Sequence, residues 1–330
     1  MDGAYRPARF SPQEILFAPS SACNLNCAHC AVRKDRRRLA PAAAVRFLKS
    51  AKKAGLERVG FTGGEPFLDA PFLFAVAAAA ARNDLFFDRI TTNASWFKTR
   101  AGLRRSLEKL RAAEYDGTFG VSVDAFHEGD LSKVAFFLQT AAGIWDRPDI
   151  AQIMSIRGSR DRATAARVRQ LARRLGAKIV MRYGRRYIKA EFLLLPLGLI
   201  DIVPVGKASG LIDPWGKKWF HEDYCQGPGQ VLYVLPDGSV KPCCGYATDS
   251  ERLTIGNIYT DTAEEILRKA ARNPYIRAVF ERGLGRIRGR LSARGVRFPG
   301  KTDNHCYFCH HILTDVEPAT LNRALRDLKP

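Results

Sequence analysis

The chain has no apolar run long enough to cross a membrane. Its longest apolar stretches are interrupted by Arg, Asp or Pro, short of the roughly twenty residues that a membrane-spanning helix needs. The N-terminal segment holds charged residues and prolines where a secretory signal would have a continuous apolar segment. We therefore expect a chain that stays in a reducing, cytoplasmic compartment.

Acidic residues are few. Lys and Arg number 53 against 33 Asp and Glu, which gives a net charge of +20. Much of the excess lies between Arg157 and Lys189 and between Arg282 and Lys301. Such a charge favours anionic partners, namely nucleic acid, anionic metabolites or an acidic membrane, and a merely solvated basic face is the alternative. Because no aromatic-interleaved RNA motif accompanies the charge, we rank a small anionic substrate above RNA.

Cysteine, by contrast, is not scarce: there are eight, and without an export signal they suit metal ligation better than disulfides. Cys23, Cys27 and Cys30 have the spacing C-x3-C-x2-C directly after an apolar run. Three thiolates on one loop suit an iron–sulfur cluster, and a four-iron cluster held by three of them keeps one iron open for chemistry. A partial zinc site or buried structural thiols are the alternative.

The triplet resembles the C-x3-C-x-φ-C motif of the radical S-adenosylmethionine (radical SAM) enzymes, in which φ is usually aromatic and is His29 here. A strand-like run at 58–61 ends in Thr62-Gly63-Gly64-Glu65-Pro66, which looks like the GGE motif of the same family. Alone, this turn would suit an ordinary strand-to-helix connection. In the second strand–helix unit after the triplet, it favours the family.

Strand-like and helix-like segments alternate about six times, which predicts a parallel sheet wrapped by helices. We expect the sixth strand near Lys178–Tyr183 and a break in the pattern from Glu191. In the resembling family this α/β fold is a partial (β/α)6 TIM-like barrel, with its site at the C-terminal ends of the strands.

The resemblance implies that S-adenosylmethionine binds the open iron and is reductively cleaved to a 5′-deoxyadenosyl radical, which abstracts a hydrogen atom from the substrate. The backbone near Gly63 and Gly64 would bind the amino group, and Ser122 and Asp124 the ribose. For the polar positions, helix caps and turn formers are the alternative. The residues that we expect around this cofactor are His29, Gly63, Gly64, Glu65, Asn93, Ser122, Asp124 and Arg157.

The segment at 203–208 resembles one that precedes the second domain of SPASM and twitch-type members of the family. We therefore place the barrel at 1–205 and a small α+β twitch/SPASM-like domain at 206–330. Asp237-Gly238 between two β-prone runs predicts a hairpin.

A second set of four cysteines falls in the second domain, and the resemblance assigns it to one auxiliary four-iron cluster. The five cysteines outside the first triplet are too few for two more such clusters. A zinc ribbon that also uses His305, His310 or His311 is the alternative. Cys244 is either a buried thiol or a ligand in place of Cys243. The set is Cys225, Cys243, Cys306 and Cys309.

These features predict a radical SAM enzyme that receives electrons from an external donor of the flavodoxin or ferredoxin type. We favour an anionic small-molecule substrate, clamped by Arg182, Arg185 and Arg186 after the last barrel strand. The favoured outcome is a two-electron oxidation in which the auxiliary cluster accepts an electron, as in the resembling twitch-type aminocyclitol dehydrogenase.

Other readings stay open. A peptide or RNA substrate is possible on the same motifs, although the short segment before Cys23 leaves little room for a leader-peptide-binding module. A redox-neutral rearrangement, epimerisation or coupling is the alternative reaction. Outside the enzymes, an iron–sulfur or zinc protein that acts as an electron carrier or scaffold is the alternative.

Overall fold

The computed structural model of the chain describes residues 9–157, 161–226 and 229–328, and only the backbone of residue 157. The strands are β1 (Glu14–Phe17), β2 (Arg58–Phe61), β3 (Phe86–Thr92), β4 (Thr118–Ser122), β5 (Ala151–Arg157), β6 (Lys178–Arg182), β7 (Arg185–Ala190), β8 (Leu193–Asp201), β9 (Gly229–Val234), β10 (Ser239–Cys243) and β11 (Gly256–Asn257). The helices are α1 (Pro41–Lys53), α2 (Ala70–Arg82), α3 (Arg100–Ala112), α4 (Leu131–Trp145), α5 (Asp161–Arg174), α6 (Ala263–Arg272), α7 (Pro274–Arg277), α8 (Leu284–Ala293), α9 (His305–Thr314) and α10 (Pro318–Arg326). No helix in these ranges is long and apolar enough to cross a membrane.

Six parallel strands form the centre of one sheet, whose order is β11-β10-β9-β1-β2-β3-β4-β5-β8-β7-β6. Neighbours from β1 to β5, and β5 with β8, pair in parallel. Helices α1 to α5 follow strands β1 to β5 along the chain, as crossover connections between parallel strands require. The predicted α/β fold with an unclosed, barrel-like sheet is confirmed.

The helices cover the outer face of the sheet with one apolar stripe each. In α5, Val168 and Leu171 are buried while Arg169 and Arg173 are exposed, as the sequence pattern predicted. Gly176 follows this helix with a φ of +60°, the left-handed conformation expected of a glycine at a helix C-terminus.

The sixth parallel strand is β8, and the prediction that placed it near Lys178–Tyr183 was wrong. That segment is β6, which forms an antiparallel hairpin with β7 at the edge of the sheet. Strand β8 was missed because Pro196 and Gly198 interrupt its pattern. Burial of Leu193 and Leu195 against the helical layer outweighs the weak strand propensity of those two residues.

At the other edge, strands from beyond residue 206 continue the barrel sheet. Strand β9 pairs in parallel with β1, with Leu16 opposite Tyr233. Strands β9 and β10 form the predicted antiparallel hairpin, whose turn contains Gly238 at a φ of +80°. The boundary between residues 205 and 206 stays a prediction, and the sheet runs across it.

A cavity of about 670 Å³ lies on the concave face of the sheet. Inward-facing side chains such as Leu16 of β1, Met154 of β5 and Ile200 of β8 line it. Ser20 and Gly63, just beyond the C-terminal ends of β1 and β2, close one end of the cavity. The strand ends and the cavity therefore form one continuous region.

Candidate active site

The first cysteine triplet occupies the loop that leaves the C-terminal end of β1. Cys23, Cys27 and Cys30 are partly buried and free of disulfides. Burial, reinforced by the neighbouring charges of Cys23 and Cys30, raises the pKa of Cys27 to about 11. Burial also raises the pKa of Cys23, and thiols that resist ionisation suit a site in which a metal centre supplies the compensating positive charge.

The Gly-Gly turn after β2 lies against this loop. The Gly64 amide donates to the Ser20 carbonyl at 3.0 Å, and the Glu65 amide donates to the Ala22 carbonyl at 2.7 Å. A Cβ on Gly64 would lie 2.1 Å from the Ala22 oxygen. Glycine is thus required here because the turn approaches the backbone of the cysteine loop itself. Contact of the same turn with a cofactor stays a prediction.

Glu65 is enclosed by protein and joins the ends of β2 and β3. Its carboxylate accepts hydrogen bonds from Thr92 Oγ1 at 2.9 Å, the Asn93 amide at 2.8 Å and the Phe67 amide at 3.2 Å. Burial raises its pKa to about 7. With 1% of its surface exposed, the side chain positions the turn, and its contact with a cofactor stays a prediction.

Asn93 connects the end of β3 to the cysteine loop. Its Nδ2 donates to Asn24 Oδ1 at 2.8 Å and lies 3.8 Å from the Cys23 sulfur. Asn93 is among the residues predicted at this mouth, whereas Thr92 and Asn24, which complete the connection, are not. An Asn between two cysteine ligands carries no pattern that marks its role.

Asp124 is fully buried, and its predicted ribose contact stays a prediction. Its carboxylate accepts hydrogen bonds from His127 Nδ1 at 2.9 Å and from the Ile156 amide at 3.0 Å. Burial opposes ionisation, but the bonds from His127 and Ile156 outweigh it and lower the pKa of Asp124. Its role is to hold His127, whose ring centroid lies 4.5 Å from that of His29.

His29 is held neutral within the cysteine loop, because burial and the neighbouring His127 lower its pKa to about 4.

Ser122 ends β4 and is partly buried. It lies on the same face of the strand as Gly120, and a Cβ added at Gly120 would meet the sulfur of Met154. This places Ser122 on the concave side, where its ribose contact stays a prediction. Arg157 ends β5, and its side chain lies outside the described residues.

A distant segment also supports the cysteine loop. The Lys207 amide donates to the Cys30 carbonyl at 3.2 Å, and its ammonium donates to Asn26 Oδ1. Gly206 has a φ of +57°, and a Cβ there would lie 3.0 Å from the Cys30 oxygen. The segment that we took for a domain boundary is thus part of the first site.

The second set of cysteines lines one small pocket that also includes Tyr246 and Leu284. The Tyr275 hydroxyl lies 3.0 Å from the Cys309 sulfur, and burial raises the pKa of Cys243 to about 12. Cys244 lies outside this pocket and lines the barrel cavity instead. The members of the pocket set are Cys225, Cys243, Cys306 and Cys309.

Neither cysteine set has the spacing of a single-ion site. Zinc bonds of about 2.3 Å would bring the sulfurs to within roughly 4 Å of one another. In the described ranges, the only three Cys, His, Asp or Glu side chains whose ligand atoms all lie within 4.8 Å of one another are Glu222, Asp223 and His305. Among the described residues, the second set therefore does not present the close ligand spacing of a zinc ribbon.

Two buried polar atoms at the first site have no hydrogen-bond partner among the described residues, namely Ser20 Oγ and His29 Nδ1. Buried polar groups in native proteins are nearly always satisfied. Both atoms belong to segments that touch the cysteine triplet or the cavity. The residues present therefore fit a site that receives a further polar group, such as S-adenosylmethionine.

The three arginines predicted to clamp the substrate do not follow a barrel strand, because β6 is not the sixth parallel strand. Arg182, Arg185 and Arg186 are all exposed and belong to the β6–β7 hairpin. Arg185 and Arg186 lie on β7, which is next to β8, and Arg182 lies on β6, one strand further out. A substrate contact for them stays a prediction.

Comparison with family models decides the classification. The model of the Radical SAM superfamily matches residues 17–166. The model of the SPASM iron–sulfur cluster-binding domain matches residues 225–288. The chain belongs to the radical SAM superfamily and carries a SPASM domain. The family resemblance drawn from the motifs is confirmed, and membership implies a SAM-binding four-iron cluster and an auxiliary cluster. Cys306 and Cys309 lie beyond the matched part of the SPASM model and join the set only through the fold.

Solved radical SAM structures share the fold at low identity. The chain resembles anSMEcpe, solved with bound AdoMet (S-adenosylmethionine) and the Cp18Cys peptide, at 15% identity and a TM-score of 0.55 over 96% of this chain and 99% of that one. It also resembles Streptococcus suis SuiB bound to its precursor peptide SuiA, at 13% identity and a TM-score of 0.53 over 91% and 71%. No curated protein sequence matches the chain. At this identity the likeness concerns the fold alone.

Proposed function

We propose that this radical SAM protein removes a hydrogen atom from a polypeptide substrate held in the barrel cavity. The observation that carries the proposal is the continuity of the cavity with the cysteine loop, since Ser20, Ala31 and Gly63 line it. When bound, the first cluster with S-adenosylmethionine supplies a 5′-deoxyadenosyl radical, and the auxiliary cluster supplies an electron acceptor.

The protein's own residues hold and shield this chemistry. Cys23, Cys27 and Cys30 would bind the first cluster, while Glu65 and Asn93 keep their loop in place through the hydrogen bonds described above. The concave sheet surrounds the reacting atoms and excludes bulk water, which protects a reactive radical. Cys225, Cys243, Cys306 and Cys309 would bind the auxiliary cluster.

The charges that line the cavity do not support our first choice, an anionic small molecule. Six acidic and four basic side chains line it, although the chain as a whole is strongly basic. Arg37 is paired with Asp35 and Asp237, and Arg89 is paired with Asp88. The acidic members are Glu14, Asp35, Asp88, Asp237, Asp249 and Glu251. An anion would meet little uncompensated positive charge there.

A polypeptide fits these features better. Its reacting residue can be neutral or cationic and enter the acidic cavity, while the rest of the chain extends over the open side of the sheet. Two proteins of the same fold, anSMEcpe and SuiB, were solved with peptides bound. For the reaction outcome we propose an oxidation, because four thiols in the second set leave no open position for direct substrate binding.

The first prediction tests the hydrogen-abstraction chemistry. We expect the protein, reconstituted anaerobically and reduced, to produce 5′-deoxyadenosine from S-adenosylmethionine, and we expect the variant Cys23→Ala/Cys27→Ala/Cys30→Ala to produce none. The same variant should lose about half of its iron, because the auxiliary set is intact. Cys244→Ala is the matched control and should keep its full iron content.

Formation of 5′-deoxyadenosine by the triple variant would contradict the proposal. A product with the same mass as the substrate would contradict the proposed oxidation.

A further inference from the structure

The hairpin β6–β7 has two chemically different faces. Directly opposed residues of an antiparallel pair share a face, and successive residues alternate. One face therefore carries the pairs Lys178–Lys189, Val180–Tyr187 and Arg182–Arg185. The other carries Ile179–Ile188 and Met181–Arg186.

The register of β8 identifies which face points toward the cavity. Tyr187 is opposite Pro196, and two residues further along β8, Gly198 is opposite Met154 of β5. Met154 and Ile200, which share that face, line the cavity. Ile188 and Leu195 share the opposite face and are fully buried on the helical side. The basic face of the hairpin is thus a lateral extension of the cavity wall.

We define this hairpin surface as Lys178, Val180, Arg182, Arg185, Tyr187 and Lys189. Its four cationic side chains are exposed, and neither β6 nor β7 contains an acidic residue. Within the described part of the chain, none of the four is in an ion pair within 4.0 Å. Four unneutralised cations beside an acid-lined cavity form a sharp change of charge along one concave wall.

We propose that the hairpin surface docks an extended acidic segment of the polypeptide substrate. The proposal rests on the polypeptide substrate proposed above and deepens it. The cations match the charge of an acidic segment, and β6 ends the strand order, so its free edge offers backbone hydrogen bonds to an extended chain. The adjoining acidic cavity then takes a reacting residue that is not acidic.

This arrangement favours a polypeptide over a nucleic acid. A nucleic acid would carry its negative charge onward into a cavity where acids outnumber bases. A polypeptide can place acidic residues on the hairpin and a different residue in the cavity. The edge of a strand also pairs with an extended peptide backbone and has no such complement in a sugar–phosphate chain.

The test is a binding measurement with the holo protein and a fluorescein-labelled peptide of alternating Glu and Ala. We expect Arg182→Glu/Arg185→Glu to weaken binding by at least about tenfold at low salt, and high salt to weaken binding to the unmodified protein. The matched control is Arg186→Glu, which is compared with the single variant Arg185→Glu and makes the same change of charge on the opposite face of the same hairpin. It should change binding less than about twofold.

Several outcomes would overturn the proposal. Equal loss with Arg186→Glu would show that only the overall charge attracts the peptide. Unchanged binding in the double variant would show that the cations merely protect the strand edge from pairing. Tighter binding of a uridine oligonucleotide of equal charge, lost in the same double variant, would assign the surface to nucleic acid.

The docking surface and the proposed function can fail separately. Formation of 5′-deoxyadenosine without any substrate tests the function and does not involve the hairpin. We expect the double variant to retain this reaction. If the protein makes no 5′-deoxyadenosine but binds the peptide through the hairpin surface, the docking proposal holds and the proposed chemistry is wrong.

Discussion

At the scale of single residues, the site shows where a polar side chain in a motif acts through its neighbours. Glu65 and Asp124 follow strand ends, as cofactor-binding residues do, yet both are enclosed and accept hydrogen bonds from the protein. The sequence predicts their place at the mouth, because strand ends meet there. It does not predict their orientation, which depends on partners such as Thr92 and Ile156 that are distant in sequence.

Glu14 carries a residue-scale prediction about pH. Burial and the neighbouring Asp88 raise its pKa to about 7 in the folded state. A carboxyl whose folded pKa exceeds its unfolded value favours folding at low pH, and this contribution is lost as pH rises through the folded value. We expect Glu14→Gln to raise the free energy of unfolding at about pH 8, by on the order of 2 kcal/mol, and to change it little at about pH 4.

Denaturant titrations at the two pH values measure this effect. Glu57→Gln is the matched control, since Glu57 is exposed near the start of the neighbouring strand. It should show no such difference between the two pH values. If Glu14→Gln changes the free energy of unfolding by the same amount at both pH values, Glu14 ionises normally in the folded protein.

At the scale of elements, helices with an apolar stripe and strands bounded by turn residues could be predicted, because their signals are local. Helix α5 and the β9–β10 hairpin follow from such patterns. Strand β8 does not, since its Pro196 and Gly198 contradict strand propensity and only packing against β5 and β7 selects it. Of the hairpin β6–β7, the sequence predicts only the first strand, and as a barrel strand; its place at the sheet edge depends on β8.

The turn of that hairpin carries an element-scale prediction. Tyr183 and Gly184 both have positive φ, at 48° and 71°, which a two-residue hairpin turn requires. The conformation strains a tyrosine, and 97% of the Tyr183 side chain is exposed, so little packing offsets the strain. We expect Tyr183→Asn to stabilise the protein by about 1 kcal/mol, measured by thermal unfolding. Tyr183→Phe, which lacks the short polar side chain that lets Asn adopt this conformation, should leave stability unchanged. A loss in Tyr183→Asn would mean that the ring makes stabilising contacts.

At the scale of the whole molecule, the two cluster regions are parts of one sheet. The sequence predicts two domains because the pattern breaks from Glu191 and the segment at 203–208 resembles one that precedes a second domain. Neither signal carries information on which strands pair. Strand β1 is central only because β9, from beyond that boundary, covers its second edge. Lys207 likewise returns to the cysteine loop of the barrel. Such contacts between remote positions leave no local signal.

This shared sheet yields the last prediction. In a chain cut to residues 1–205, β1 would expose an unpaired apolar edge and the cysteine loop would lose its contact with Lys207. We expect this fragment to aggregate and to lose the first cluster.

The variant Cys306→Ala/Cys309→Ala is the control, because it removes auxiliary ligands while β9 still pairs with β1. It should elute from a size-exclusion column at the volume of the unmodified protein and keep about half of the iron. A monomeric fragment that retains native circular dichroism and the first cluster would show that the barrel folds on its own. The pairing of β1 with β9 would then be a contact between two independent domains, and the boundary at 205–206 would mark a true folding unit.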